Sequence, residues 1–224
     1  MISLMTATEQ QGALPAAAFV AACALVFTVA SFWWLNARQG RLKSWEPLSF
    51  AAGLSESQSR FRFPVVLYNT AAKPIVVQDF RLSFPDESPP VAPLPWTSTR
   101  SHLRPENSDE LRLPASFAVA GRTAEQLFVE FGTDLPRWFI PESRDYRLTI
   151  EARLGHRREW QPLVTFTWHA ARVTNTAYIA YRNSIDDLSE QKRADGEAAL
   201  RALAAKVEAK ARAQADQANA SGGD

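Results

Sequence analysis

Ile75-Val76-Val77-Gln78-Asp79-Phe80-Arg81-Leu82-Ser83-Phe84 is the stretch that decides the fold class. Successive side chains of an extended strand point to opposite faces. Phe80, Leu82 and Phe84 therefore share one face, and Asp79, Arg81 and Ser83 share the other. A helix would scatter these residues around its axis, so the pattern reads as a strand with one buried side.

The same alternation recurs on both sides of this stretch. Before it, Phe61 to Tyr68 is rich in valine and aromatics, and Asn69-Thr70-Ala71-Ala72-Lys73-Pro74 supplies the turn between the two strands. Pro64 cannot donate to a ladder, which predicts an edge position or a bulge for the first strand. After it, Ser116 to Ala120 is a short candidate closed by Gly121. Glu125 to Phe131 places Leu127, Val129 and Phe131 opposite Gln126 and Glu130. Tyr146, Leu148, Ile150 and Ala152 oppose Arg147, Thr149, Glu151 and Arg153. Leu154 to Glu159 reads as a hairpin connection into Trp160 to His169, and Tyr178 to Tyr181 as a last strand. Roughly seven short strands without intervening helical patterns argue for a mainly β fold, an antiparallel β-sandwich of two packed sheets over residues 48–182.

Phe63-Pro64-Val65-Val66-Leu67-Tyr68-Asn69-Thr70 followed by Pro74-Ile75-Val76-Val77 resembles the strand–turn–strand opening of immunoglobulin-like bacterial domains. Ser116-Phe117-Ala118-Val119, Gly121 and Phe128-Val129-Glu130-Phe131 resemble a later strand pair of such domains. Ala71 stands where a glycine is usual. The resemblance, to uncharacterised bacterial single-pass membrane proteins with such a domain, implies an immunoglobulin-like β-sandwich with a non-catalytic role as its default.

The membrane part of that expectation rests on a separate block. From Ala13 to Leu35 no residue is charged. Pro15 to Leu35 as a helix would be about 31 Å long, enough to cross the hydrocarbon layer. Trp33 and Trp34 close the block where amphipathic rings sit at headgroup level, and Arg38, Arg41 and Lys43 follow. A cleaved signal peptide needs a basic start and small residues at its end, and this block has neither. The expectation is a transmembrane helix over 13–36 that anchors the chain in the lipid bilayer, after a short polar tail over 1–12. The basic flank predicts a cytoplasmic domain, joined through a linker over 37–47. Ala13, Ala17 and Ala21 recur at a spacing that lets two membrane helices form a weak homo-oligomer. An alanine-rich chain also produces that spacing without any partner, and this plainer reading is preferred.

Beyond the last strand the pattern turns helical. Ser184 and Asp187 have capping-box spacing, and Leu200, Leu203 and Val207 form a thin apolar stripe. A solvated helix over 184–217 and a disordered end over 218–224 are expected. The proline-rich run from Phe84 through Pro89, Pro90, Pro93 and Pro95 to Trp96 reads as a stiff connection rather than a recognition peptide. The polar stretch from there to Leu113 reads as an exposed loop.

Composition bounds the chemistry. A net charge of +1 lacks the basic surplus of nucleic-acid binding, and Arg157-Arg158, the densest basic pair, reads as a solvated turn. Cys23 is the only cysteine, so the β region has neither a disulfide nor a thiol nucleophile. His102, His156 and His169 are isolated from one another, and no zinc, phosphate-loop or nucleophile-elbow pattern occurs. The acidic pairs Asp86-Glu87 and Asp109-Glu110 read as solvated loop carboxylates. No catalytic, cofactor-binding or metal-binding residue is assigned, and no cofactor is expected. The favoured function is a membrane-anchored interaction or scaffolding module that binds another protein. A ligand-binding or sensory domain and a β-sandwich hydrolase are the alternatives.

Overall fold

A computed structural model describes residues 13–34, 40–106, 108–134, 139–155 and 157–221. The tail over 1–12, Arg38, His156 and the end over 222–224 lie outside the described residues. Helix α1 (Ala13–Phe32) is followed by strands β1 (Leu42–Lys43), β2 (Ser49–Leu54), β3 (Gln58–Asn69), β4 (Ile75–Ser83) and β5 (Leu94–Arg100). Next come β6 (Leu111–Arg112), β7 (Phe117–Val119), β8 (Ala124–Asp134), β9 (Asp145–Leu154) and β10 (Trp160–His169). A 3-10 turn (Ala170–Arg172), β11 (Ile179–Arg182) and helix α2 (Glu190–Ser221) complete the chain.

The fold is mainly β and antiparallel, with a C-terminal helix, but the strands form one continuous sheet where two separate sheets were expected. The order is β10-β9-β4-β5-β8-β3-β2-β11, with β1, β6 and β7 added at the margins. Strand β5 makes the sheet continuous. Leu94 and Pro95 pair with Leu82 and Arg81 of β4. Trp96 to Arg100 then pair with β8, with a register shift between Trp96 and Ser98. A proline cannot donate to a ladder, and a bulge bends the strand that carries it. The sheet thus folds over at Pro95–Ser98 into a half-barrel, and its two arms face each other across the core.

Aromatic rings fill the space between the arms. Trp168 on β10 meets Phe50 of β2 and Phe61 of β3 at centroid distances of 5.6 and 5.2 Å. Phe166 meets Phe63 at 5.5 Å. At the fold-over, Phe80 meets Trp96 at 5.1 Å. The inward residues Phe61, Phe63, Val65 and Leu67 of β3 are all buried, as the alternation requires.

Pro64 does not mark an edge strand, because β3 lies between β8 and β2. The pairing with β2 reaches only Arg62, however, and that with β1 begins at Tyr68. Pro64 falls in the gap, where its missing N–H leaves no ladder bond unmade. The turn after β3 needs no glycine at Ala71. Asn69 Oδ1 accepts the Ala71 N–H at 2.9 Å, and Asn69 Nδ2 donates to the carbonyls of Lys73 and Val119. A side chain that mimics a backbone turn in this way works at negative φ, and Ala71 is not among the positive-φ residues.

The segment read as a linker joins the domain from Gly40 onward. Thr70 Oγ1 accepts the Arg41 N–H at 2.9 Å, and Leu42 pairs with Asn69. A side chain at Gly40 would lie 2.2 Å from the Ala71 Cβ, so only glycine permits this approach. Helix α2 is likewise not wholly solvated. Leu200 and Leu203 are buried against the core. A Cβ at Gly196 would lie 2.8 Å from the Val173 carbonyl oxygen, where the helix crosses the chain after the 3-10 turn. The helix starts at Glu190, where Ser189 Oγ accepts the Lys192 N–H at 3.4 Å, and it continues to Ser221. Ser184 instead bonds Asp186 in the preceding turn.

Helix α1 has a backbone extent of 20 residues. Among the described residues, no helix is long and apolar enough to cross a membrane; side chains of α1 are described only from Ala16 onward. Those side chains are exposed on all sides except at Ser31, which is intermediate.

Candidate functional site

Two polar features stand out from the half-barrel. The first is a buried ionic cluster on the outer face of β3. Arg62 and Glu130 are direct partners across the β3–β8 ladder, on the face opposite the aromatic core. Strand alternation alone would leave both in water. The chain after β5 folds back over them instead, and Tyr178 closes the cluster from the other side.

Arg62 is 1% exposed and has its charge fully engaged. Its Nη2 donates to Glu130 Oε2 at 3.0 Å and its Nη1 to Asp109 Oδ2 at 2.7 Å and to the His102 carbonyl at 2.6 Å. Nε donates to Tyr178 at 3.2 Å. Tyr178 in turn donates a short hydrogen bond to Glu130, and Ser98 Oγ donates to the other carboxylate oxygen of Glu130. Asp109 Oδ1 accepts from Ser101 Oγ and from the backbone N–H groups of Ser101 and His102. Gly53 leaves room for the ring, since a Cβ there would lie 2.8 Å from Tyr178.

Burial opposes the charge on Arg62, but Tyr178 and Glu130 outweigh it and hold the guanidinium above its ordinary range. Burial likewise opposes the charge on Asp109, yet hydrogen bonds from Ser101 and the Arg62 charge hold its carboxyl below the usual range. Burial pushes the Tyr178 hydroxyl far up, reinforced by the Glu130 charge. A cluster so fully paired has no free base or nucleophile to offer, and its direct effect is to fasten the Ser101–Glu110 loop to the sheet.

This arrangement has a pH signature. A carboxyl whose folded pKa is depressed adds stability above its unfolded value of about 3.9, and that stability is lost as pH falls through the folded value. Thermal melts between pH 6 and pH 2, values spanning that window, should show Asp109→Asn flattening the acid limb of the stability curve. An unchanged limb would mean that Asp109 is not held in the charged form.

The second feature is a groove of about 800 Å³ between β1, the start of β4 and the β9–β10 hairpin. Arg41, Lys73 and Arg157 line it, with no acidic residue among the described residues of the lining. All three are exposed, and none joins an ion pair among the described residues. Gly155, at φ +59, turns the hairpin so that its N–H donates to the Val76 carbonyl at 2.8 Å, which places Arg157 beside β4. Apolar side chains, Ile75, Val76 and Leu163 among them, form the rest of the lining.

The residues singled out in the sequence are dispersed. His102 belongs to the Arg62 cluster through its backbone, while His169 bonds Asp145 at 2.8 Å at the end of β10. His156 lies outside the described residues. Asp86 faces Arg147 at 3.7 Å, Glu87 pairs with Arg144, and Glu110 pairs with Arg112. Asp109 departs from the solvated reading, with a side chain only 4% exposed. No group of three or more metal-ligating side chains occurs among the described residues.

No family model matches the chain, and no curated protein sequence matches it. Among solved structures, a protein from Archaeoglobus fulgidus is similar over 63% of this chain and 98% of its own, with 12% identity and a TM-score of 0.31. At that level the likeness carries no argument about fold or function.

Proposed function

We propose that the protein is a single-pass, membrane-anchored, non-catalytic module that holds its β domain at the cytoplasmic surface of a bilayer, where it binds another protein. The observation that carries this reading is the surface of α1. Phe19, Val20, Leu25, Val26, Phe27, Val29 and Phe32 are 60 to 75% exposed and lie on every side of the helix. A helix that is apolar all round is stable only when surrounded by apolar material. The backbone of α1 extends about 30 Å over 20 residues. Its described side chains, from Ala16 onward, fall short of a full crossing by themselves, and the anchor reading takes in the apolar residues that flank them in the sequence. Trp33 and Trp34, both more than half exposed, stand at its end as headgroup anchors.

The non-catalytic part of the reading draws on the Arg62 cluster, where buried charges neutralise one another instead of facing a cleft. The antiparallel half-barrel is compatible with the expected immunoglobulin-like role without establishing that family, and β domains of this class commonly serve recognition through faces and loops.

The anchor is tested by fractionation. The full chain should remain in the membrane pellet through an alkaline carbonate wash. Leu25→Arg with Val26→Arg should release most of it, since two arginines at mid-bilayer cost about 6 kcal/mol on the insertion scale. A wild-type chain in the soluble fraction would overturn the anchor. Sidedness is read with Cys23→Ala and Ser221→Cys: an impermeant maleimide should label the tail only after lysis. Labelling of intact cells would move the domain to the other side.

A further inference from the structure

We propose that the groove lined by Arg41, Lys73 and Arg157 binds the phosphate-bearing headgroup of an anionic phospholipid in the bilayer that α1 enters; this rests on the anchor reading above. Among the described residues, three cations line the groove, no carboxylate shares it, and none of the three is engaged in an ion pair. Cations left uncompensated around a concavity favour an anion there, and low-dielectric walls focus the field. The lining is also half apolar in character: Ile75, Val76 and Leu163 stand beside the charges. A free inorganic anion has no use for that surface, whereas the glycerol and upper acyl carbons of a lipid do.

The position of the groove in the chain selects a membrane lipid over a soluble ligand. Gly40 and Arg41 form its rim, and Trp34 ends the described part of the anchor region. A chain joining Trp34 to Gly40 reaches at most about 20 Å, even fully extended. The rim is therefore held covalently near the headgroup layer whenever α1 is inserted. Arg41 is fixed to the domain by Thr70, and Lys73 by the Asn69-centred turn. The cations thus sit on a shaped surface rather than a loose basic tail. Juxtamembrane basic residues are drawn to anionic leaflets in general; here the structure adds a site with defined walls.

The test uses hydrogen exchange on the full chain in nanodiscs. Discs of phosphatidylcholine alone are compared with discs that also contain phosphatidylglycerol. Amides of residues 73–77 and 154–163 should exchange about tenfold more slowly in the anionic discs, the protection expected when the lipid is at about ten times its dissociation constant. Amides of β3 should be unchanged. Arg41→Gln, Lys73→Gln and Arg157→Gln together should abolish the difference while leaving β3 protection intact, because all three side chains are exposed. Equal exchange in both discs overturns the proposal. Protection by inorganic phosphate in neutral discs, matching that from phosphatidylglycerol, overturns the lipid as the source of the anion. A chain that fails to enter either disc is a separate result, and it overturns the anchor reading itself.

Discussion

Arg62→Met should destabilise the domain by about 3–5 kcal/mol, the cost of leaving buried partners of a broken ion pair uncompensated. Arg62 is 1% exposed and Glu130 is 4% exposed. Removing the guanidinium leaves Asp109 without its cation and Glu130 with only Arg100, 3.8 Å away, in a space closed by Tyr178 and the Ser101–Glu110 loop. Urea unfolding of the full chain in neutral detergent reads the change as a shifted midpoint at constant slope. Hydrogen exchange should show the loop opening first, because Asp109 is its charged tie to the sheet. Glu130→Gln adds the decisive comparison. If the two side chains act as a pair, the double variant costs less than the sum of the single ones. A cost below about 1 kcal/mol for Arg62→Met would place the pair among solvated surface bridges.

That cluster also shows where the sequence was legible and where it was not. Alternation located β4, β8 and β9, while valine and aromatic content located β3 and the preceding hairpin signal located β10; all of this is local information. Alternation even placed Glu130 on the outward side of β8. Nothing local says that the outward side is covered. Arg62 and Glu130 are 68 residues apart in sequence, and Arg62 and Asp109 are 47 apart. Their meeting depends on strand order, which periodicity does not carry. The one available signal was an arginine and a glutamate on the outward faces of two adjacent candidate strands, a pairing that becomes visible only once register is known.

Of the strands that the sequence did not announce, β2 and β5 escaped for different physical reasons. Strand β2 centres on Ala51, Ala52 and Gly53, which are too small to show an alternating pattern, and the smallness serves the packing of Tyr178 on Gly53. Strand β5 opens with Leu94-Pro95-Trp96, and its proline reads as a connection. In the folded chain that proline sits where the strand changes partners, and Trp96 is 7% exposed. The fold-over of the sheet was therefore hidden in the residue that argued against a strand. The groove was half legible. Arg41 and Arg157 were read as basic flank and solvated turn, and both remain exposed, but only the three-dimensional turn at Gly155 brings Arg157 to the same wall as Lys73.

Trp168→Ala should cost about 3–5 kcal/mol, the range for deleting a large buried aromatic side chain. Trp168 is 1% exposed, and its ring meets Phe50, Phe61 and Tyr146 at 5.6, 5.2 and 5.6 Å. These contacts tie β10, at one end of the strand order, to β2 and β3 near the other end. Among the described residues no backbone ladder links those ends, so the ring is a principal closure of the half-barrel. The cost should therefore appear as selective loss of exchange protection in β10 and β9, with β3 and β8 affected less. Trp168→Phe separates closure from bulk. The indole Nε1 is buried without a hydrogen-bond partner among the described residues, and an unmet buried donor costs about 1–3 kcal/mol. Phenylalanine removes that donor while keeping a ring against Phe50 and Phe61. The variant should lose less than about 1.5 kcal/mol, as aromatic swaps that preserve most of the packing do. Equal losses for alanine and phenylalanine would mean that the indole nitrogen has a partner after all. Small losses for both would mean that the arms are held together by other contacts, and the half-barrel would then be closed without its aromatic bridge.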